Sequence, residues 1–320
     1  MDTLAKALIS RASGQSKLRV GDVVICEVDL AMIHDSGGPR RVKPILDRLQ
    51  RQVWDKDKIV VVTDHYVPAD NAETQAIQAL TKQWVQDQSI DKFYDEQGIC
   101  HIVLPERGHL APGLFCVGGD SHSPTGGAFG AYMFGIGATE MAGVLATGEI
   151  WIKVPETILM SWRNQLSAYV TAKDMMLAMC RKIGMGGGRY QAIQYAGQTI
   201  QALSMQERMT LSNMAAELGA QAGLIAPDEA TVAFVQAAGG TVPANWRDFQ
   251  IEAAESAENV MQFDAASLEP QIAAPHSPEN ADAADAFRNI SFDVAYLGAC
   301  TGAKYVDLAA AAEVLKGRRI

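Results

Sequence analysis

Short apolar runs alternate with helix-like segments along this chain, and this alternation limits the folds it can adopt. The runs at residues 23–26, 58–63 and 114–117 are typical of buried strands. Between them, residues 40–52 and 71–89 are typical of helices. Strands that alternate with helices predict an α/β fold with mainly parallel sheets.

Polar side chains of catalytic type follow several of these strands. Asp64 and His65 follow the strand at 58–63, and the run Asp120-Ser121-His122 follows the strand at 114–117. His101 is predicted inside a strand at 99–104. Cys300 would follow a further strand at 294–297. Because ligands bind outside the carboxyl ends of parallel strands, these residues could share one cleft.

Each of these residues also has an ordinary structural interpretation. Asp64 and Asp120 could be turn formers or helix caps, His101 a hydrogen-bonded core histidine, and Cys300 a buried thiol. The recurrence of polar groups at strand ends favours an enzyme site. Spacing alone names no reaction.

Charge and cysteine content exclude several other classes of protein. The net charge of −10 argues against a nucleic-acid partner, because phosphate contacts need a basic face. The 5 cysteines are widely spaced, which argues against a disulfide framework and favours the reducing cytoplasm. Residues 1–17 show no signal peptide, and no uncharged apolar stretch is long enough for a membrane span. We therefore expect a cytoplasmic protein.

Several longer motifs, in order, make the chain recognisable. These motifs are residues 28–35, 63–68, 97–101, 118–123, 129–140, 209–217 and 298–302. In them the chain resembles the aconitase superfamily, and within it the hydro-lyases of the 3-isopropylmalate dehydratase large-subunit type.

The resemblance implies stacked α/β/α lobes and a hydro-lyase that moves a hydroxyl between adjacent carbons of a small branched hydroxy di- or tricarboxylic acid. By motif match, the residues implied as catalytic are Asp64, His65, His101, Asp120, His122 and Glu217. Those implied to bind substrate are His34, Ser121 and Asn213. Glu217 could instead belong to a solvated helix face. The family uses a [4Fe–4S] cluster held by three cysteines, and Cys300 matches the first of these ligands.

The lobes are expected at residues 1–195, 196–290 and 291–320, and the last would carry Cys300. Residues 252–288, rich in Ala, Glu, Asp and Pro, could be a linker. The strand at 294–297 and a helix at 305–316 would expose apolar surface that a partner covers.

The chain departs from the family pattern after Cys300. The downstream Cys-x-x-Cys pair and the substrate-binding Asn-Arg segment are missing, and one thiolate cannot hold a four-iron cluster. The expected partners are a small, swivelling-domain subunit and a chain that supplies the missing cysteines. Three explanations stay open: a truncated piece, a split enzyme, or a short member with a mononuclear metal or none. The alternative from another class is a non-catalytic assembly subunit. The sequence does not choose among hydroxy acids.

Overall fold

The computed structural model describes residues 3–252 and 259–319. Its α-helices are α1 (Leu4–Ser13), α2 (Pro39–Leu49), α3 (Ala72–Asp87), α4 (Cys100–Glu106), α5 (Ala138–Thr147), α6 (Ala172–Ile183), α7 (Gln198–Ala202), α8 (Met205–Asn213), α9 (Glu229–Ala237) and α10 (Tyr305–Leu315). Its strands are β1 (Val23–Glu27), β2 (Leu30–His34), β3 (Ile59–Thr63), β4 (Phe93–Asp95), β5 (Phe115–Gly118), β6 (Tyr132–Gly135), β7 (Glu149–Lys153), β8 (Thr157–Arg163), β9 (Ala192–Ala196), β10 (Ala222–Ile225), β11 (Val260–Asp264), β12 (Gln271–Ala273) and β13 (Ala281–Ala283).

The first sheet is parallel throughout and has the order β4-β3-β2-β5-β6. Every residue of β2 and β3 is buried, as expected for a parallel sheet covered on both faces. The strand order reverses between β2 and β5. A crevice forms at such a reversal, outside the carboxyl ends of the strands. The prediction of an α/β fold with parallel sheets is confirmed.

A second parallel sheet has the order β10-β9-β8-β11. This sheet has a hydrophobic core of its own, in which Trp162, Met175 and Tyr195 are buried. Residues 252–288 were predicted as a linker, but residues 260–264 within them form strand β11, so the prediction was wrong there. Residues 253–258 of the predicted linker lie outside the described residues. The predicted division into lobes stays a prediction, and the boundary at 195/196 falls at the end of β9.

The two sheets are connected by close packing of a short 3₁₀ segment, Ser123–Phe129, against β10. A Cβ atom added to Gly127 would overlap the carbonyl oxygen of Gly223 in β10. Only glycine allows the backbones to approach this closely. The loop after β5 is therefore held against the second sheet.

Two predicted strands are wrong. Residues 100–106 form helix α4 instead. Gly98 has a positive φ, which interrupts an extended strand, and the Asp64 carboxylate accepts a hydrogen bond from the Cys100 N–H at the start of the helix. Residues 294–297 form no strand, and α10, which follows, buries none of its residues. Helix α8 ends at Asn213 and is followed by a 3₁₀ turn and β10.

In residues 3–252 and 259–319, we find no helix with the length and apolar character needed to span a membrane.

Candidate active site

Asp120 lies at the centre of a cluster of polar side chains in the crevice between β2 and β5. Its Oδ1 accepts hydrogen bonds from His101 Nε2 at 2.6 Å and from the backbone N–H of His122 at 2.8 Å. Its Oδ2 lies 3.6 Å from Nε2 of His65. Desolvation alone would raise the pKa of Asp120, but the hydrogen bonds from His101, His122 and His65 outweigh it and hold the pKa well below its usual range.

His65 lies between two carboxylates at the end of β3. Its Nδ1 donates to Asp64 Oδ1 at 2.6 Å, and Asp120 is on the other side of the ring. Hydrogen bonds to Asp120 and Asp64 raise the pKa of His65 to about 10 despite partial burial. The pKa of Asp64 is lowered, because hydrogen bonds from His65 and Cys100 outweigh its desolvation. His65 is therefore a cation at neutral pH.

His34 is held as a neutral imidazole at the end of β2. Its Nε2 donates to the carbonyl oxygen of Gly119 at 2.9 Å, and its Nδ1 accepts from the N–H of Gly37. Its ring stacks on His65 with centroids 3.9 Å apart. Burial and the neighbouring His65 charge lower the pKa of His34.

His122 connects the two sheets. Its Nε2 donates to Glu217 Oε1 at 3.2 Å, and its Nδ1 lies 3.2 Å from Ser121 Oγ. Glu217 directly follows the 3₁₀ turn that precedes β10, and β10 is a strand of the second sheet. Hydrogen bonds to Asp120 and Glu217 raise the pKa of His122 to about 10. Among the described residues, Glu217 Oε2 is buried and has no hydrogen-bond partner.

Asn213 and Cys300 are placed next to each other. Asn213, at the end of α8, donates from Nδ2 to Thr125 Oγ1 at 2.8 Å and to Cys300 Sγ at 3.3 Å. Cys300 is half-buried, whereas the other four cysteines are buried. In the part of the chain that the structure describes, Cys300 is thus the one thiol near the surface.

The structure brings together the five Asp and His residues predicted as catalytic, and His34, Ser121 and Glu217 contact them. Asn213 and Cys300 are connected to this group through Thr125, which bonds to the carbonyl oxygen of His122. Their roles stay predictions. Sequence reasoning missed Asp35, whose buried carboxylate accepts backbone hydrogen bonds from the loop after β3. The signal was available, because Asp35 directly follows His34 in a matched motif.

Two groups of side chains have ligand-type atoms close enough to hold an ion, one around His65 and one around Asp120. Most of these atoms already donate to or accept from one another. This arrangement suits proton transfer better than metal binding, because a ligand nitrogen must be free of its proton.

The sequence of this chain is similar to a known protein family and to several known proteins. The model of the aconitase family (aconitate hydratase) matches residues 8–288. A probable 3-isopropylmalate dehydratase large subunit of Methanothermobacter thermautotrophicus is 40% identical over 319 residues, which are 99% of this chain and 75% of that protein. The 3-isopropylmalate dehydratase large subunit 1 of Methanopyrus kandleri is 41% identical over the same shares of both chains.

A probable methanogen homoaconitase large subunit of Methanothermobacter thermautotrophicus is 37% identical over 99% of this chain and 74% of that protein. The solved holo-form of Thermococcus kodakaraensis aconitase X is a distant structure, with a TM-score of 0.41 and 9% identity over 75% of this chain and 57% of that chain. With the family model matched from residue 8 to residue 288, this chain belongs to the aconitase family.

Proposed function

We propose that this chain is the large-subunit part of a hydro-lyase that dehydrates and rehydrates a small branched hydroxy di- or tricarboxylic acid, as the names of its relatives suggest. The observation that carries the proposal is the network around Asp120, in which His65, His101 and His122 surround one carboxylate. Such a network can deliver a proton to a leaving group.

Loss of a hydroxyl needs an acid, because hydroxide is a poor leaving group. His65 and His122 are cations at neutral pH and each is partly exposed, so each can reach a bound substrate. His101 is buried and bonds to Asp120. We assign His65 and His122 to proton donation and to binding of substrate oxygens. We assign Asp120 to stabilising the charge of these two rings, and His101 to fixing the Asp120 carboxylate through its hydrogen bond.

A substrate with two or three carboxylates needs positive charge at the site. Asp64 and Asp120, whose pKa values are held low, already offset the two imidazolium ions of His65 and His122. An anionic hydroxy acid would be repelled unless positive charge were added. The iron–sulfur cluster that the family implies would supply a Lewis-acid iron that polarises the leaving hydroxyl.

The residues present fit one corner of such a cluster. Cys300 would hold it, with Asn213 beside the thiol and Glu217 presenting a buried oxygen that has no hydrogen-bond partner among the described residues. A four-iron cluster needs about three or four cysteines. We therefore propose that further ligands come from outside the described residues.

Two partners follow from this proposal. The relatives are named large subunits, which supports a small subunit as the partner that completes the site. A second chain could supply the remaining cysteines. The alternative is a non-catalytic subunit of the same assembly; the intact histidine network favours the enzyme.

The test is an anaerobic assay of the chain reconstituted with iron and sulfide, together with the small subunit of a relative and the cysteine-bearing remainder of that relative's large subunit. Ultraviolet absorbance would follow the formation of the unsaturated acid from 3-isopropylmalate, or the loss of the double bond when homoaconitate is hydrated. Turnover that is lost in His122→Ala supports the proposal. No turnover with a cluster loaded and a small subunit bound supports the non-catalytic alternative.

A further inference from the structure

We infer that Asp35 is a positioning residue, which fixes the loop at residues 64–66 and thereby the place of the His65 ring. Asp35 directly follows His34 at the end of β2, and its side chain is 0% exposed. The importance of this role for catalysis rests on the proposed function, whereas the role itself rests on the hydrogen bonds that Asp35 accepts from the loop.

The carboxylate of Asp35 accepts hydrogen bonds from successive backbone N–H groups of the neighbouring loop. Its Oδ1 accepts from His65 at 3.1 Å and from Asp64 at 3.5 Å, and its Oδ2 accepts from Tyr66 at 3.0 Å. The N–H of Ser36 adds a contact at 3.1 Å. Converging N–H groups of this kind form an anion-binding concavity, here occupied by the protein's own side chain.

No lysine or arginine among residues 3–252 and 259–319 forms an ion pair with Asp35. Its one ionic neighbour there is His65, with Nδ1 at 3.8 Å from Oδ1. A buried carboxylate is costly unless hydrogen bonds replace its lost water. The loop must therefore keep its N–H groups directed at Asp35, which leaves it one conformation.

That conformation sets every contact of the His65 ring. From the end of β2, His34 stacks on the ring, and Oδ1 of Asp35 lies 3.8 Å from its Nδ1. From its own loop Asp64 bonds to Nδ1, and from the loop after β5 Asp120 faces Nε2 at 3.6 Å. A displacement of about 1 Å would remove the alignment on which proton transfer depends.

The experiment is a histidine-selective NMR titration of the full chain and of Asp35→Asn. The amide keeps the shape of the side chain but turns one acceptor oxygen into a donor, which then faces a backbone N–H. Asp174→Asn is the matched control, because the buried Asp174 carboxylate also accepts backbone N–H groups, from Thr171 and Gln271 at 2.7 Å each, away from the site.

Hydrogen bonds to Asp120 and Asp64 raise the pKa of His65 to about 10, and we expect its titration midpoint in Asp35→Asn to lie at least about one unit below that of the unaltered chain. It should not move in Asp174→Asn. The midpoint of His109, about 4, should stay unchanged in both variants and so report an intact fold. A destabilised Asp35→Asn chain with an unchanged His65 midpoint would overturn the inference.

A second measurement covers the case in which Asp35→Asn does not fold. In the unaltered chain, amide hydrogen exchange of His65 and Tyr66 should be at least about 100-fold slower than that of the exposed Asp70. Equal exchange rates would also overturn the inference. Neither measurement needs substrate, cluster or partner, so failure of the proposed function would leave the result for Asp35 standing.

Discussion

His101 donates a hydrogen bond from Nε2 to Oδ1 of Asp120 at 2.6 Å, although the two residues are 19 positions apart. His101 is in the first turn of α4, and Asp120 follows β5. The other carboxylate oxygen faces His65, and the backbone of His122 bonds to the same oxygen as His101. The Nδ1 atom of the His122 ring lies 3.6 Å from Oδ1, so three imidazole rings surround one carboxylate.

Removing that charge should lower the pKa of two histidines together. In Asp120→Asn we expect the pKa values of His65 and His122 to fall below about 10, because the hydrogen bond to Asp120 is the largest cause of both raised values. In Asp64→Asn the pKa of His65 should fall, whereas that of His122 should not. Histidine NMR titrations would measure this, and an unchanged His122 in Asp120→Asn would contradict the role of Asp120.

Stability should decline in alkaline solution. The folded pKa values of His65 and His122, about 10, lie above the ordinary 6.5, so the folded state holds these protons more tightly than the unfolded state. Their contribution to the free energy of unfolding is complete below about pH 6.5 and is lost as the pH rises through about 10. Urea denaturation at pH 6, 8 and 10 should show falling midpoints. The decline should be shallower in a His65→Gln/His122→Gln double variant; an equal slope would argue against the raised pKa values.

Activity, once reconstituted, should depend on His122. We expect His122→Ala to reduce kcat by about 10² to 10⁴, the range for a general acid–base group. His276, exposed and outside the site, provides the control, and His276→Ala should leave kcat unchanged. Equal rates for the two variants would remove His122 from the mechanism.

The contact between the two sheets should tolerate no side chain at Gly127. Gly127→Ala should lower the free energy of unfolding by about 1–3 kcal/mol, because the methyl group would overlap the Gly223 carbonyl. Gly143 is inside α5 with open space around it, so Gly143→Ala should stabilise the chain by about 0.5–1 kcal/mol. Chemical denaturation of both variants would show whether the signs are opposite, as we expect.

Iron binding should depend on Cys300. With sulfide and iron, the chain alone should bind fewer than about four irons, since Cys300 is the one half-exposed thiol in the described ranges. Cys300→Ser should lose most of this iron, whereas Cys26→Ser, which changes a buried thiol, should keep it. Four irons per chain that survive Cys300→Ser would show that other residues bind the cluster.

The first sheet and its polar loops were predictable from the sequence, because the β-branched run at 59–63 is unambiguous and Asp64 and Asp120 directly follow strands. Helix α4 was not. Its apolar run fits a strand equally well, and the group that favours a helix is the Asp64 carboxylate, which accepts the Cys100 N–H from 36 positions away. Local patterns do not contain such a contact.

The individual strands of the second sheet were not predicted, for a related reason. Strands β9 and β10 are short and contain alanine or glycine, residues that have little preference for strands. They form strands because β9 pairs with β8 and β10 pairs with β9. Glu217 was predicted from its motif, but its hydrogen bond to His122 depends on how the 3₁₀ segment packs against β10.

The order β4-β3-β2-β5-β6 has a consequence for the evolution of such a chain. His34, Asp64 and Asp120 are close because they end or follow three adjacent strands, whose spacing of about 4.8 Å is set by backbone hydrogen bonds. That spacing is nearly independent of which aliphatic side chains fill the layers above and below. Core residues can therefore drift over long periods while the distances between the reactive groups are inherited unchanged.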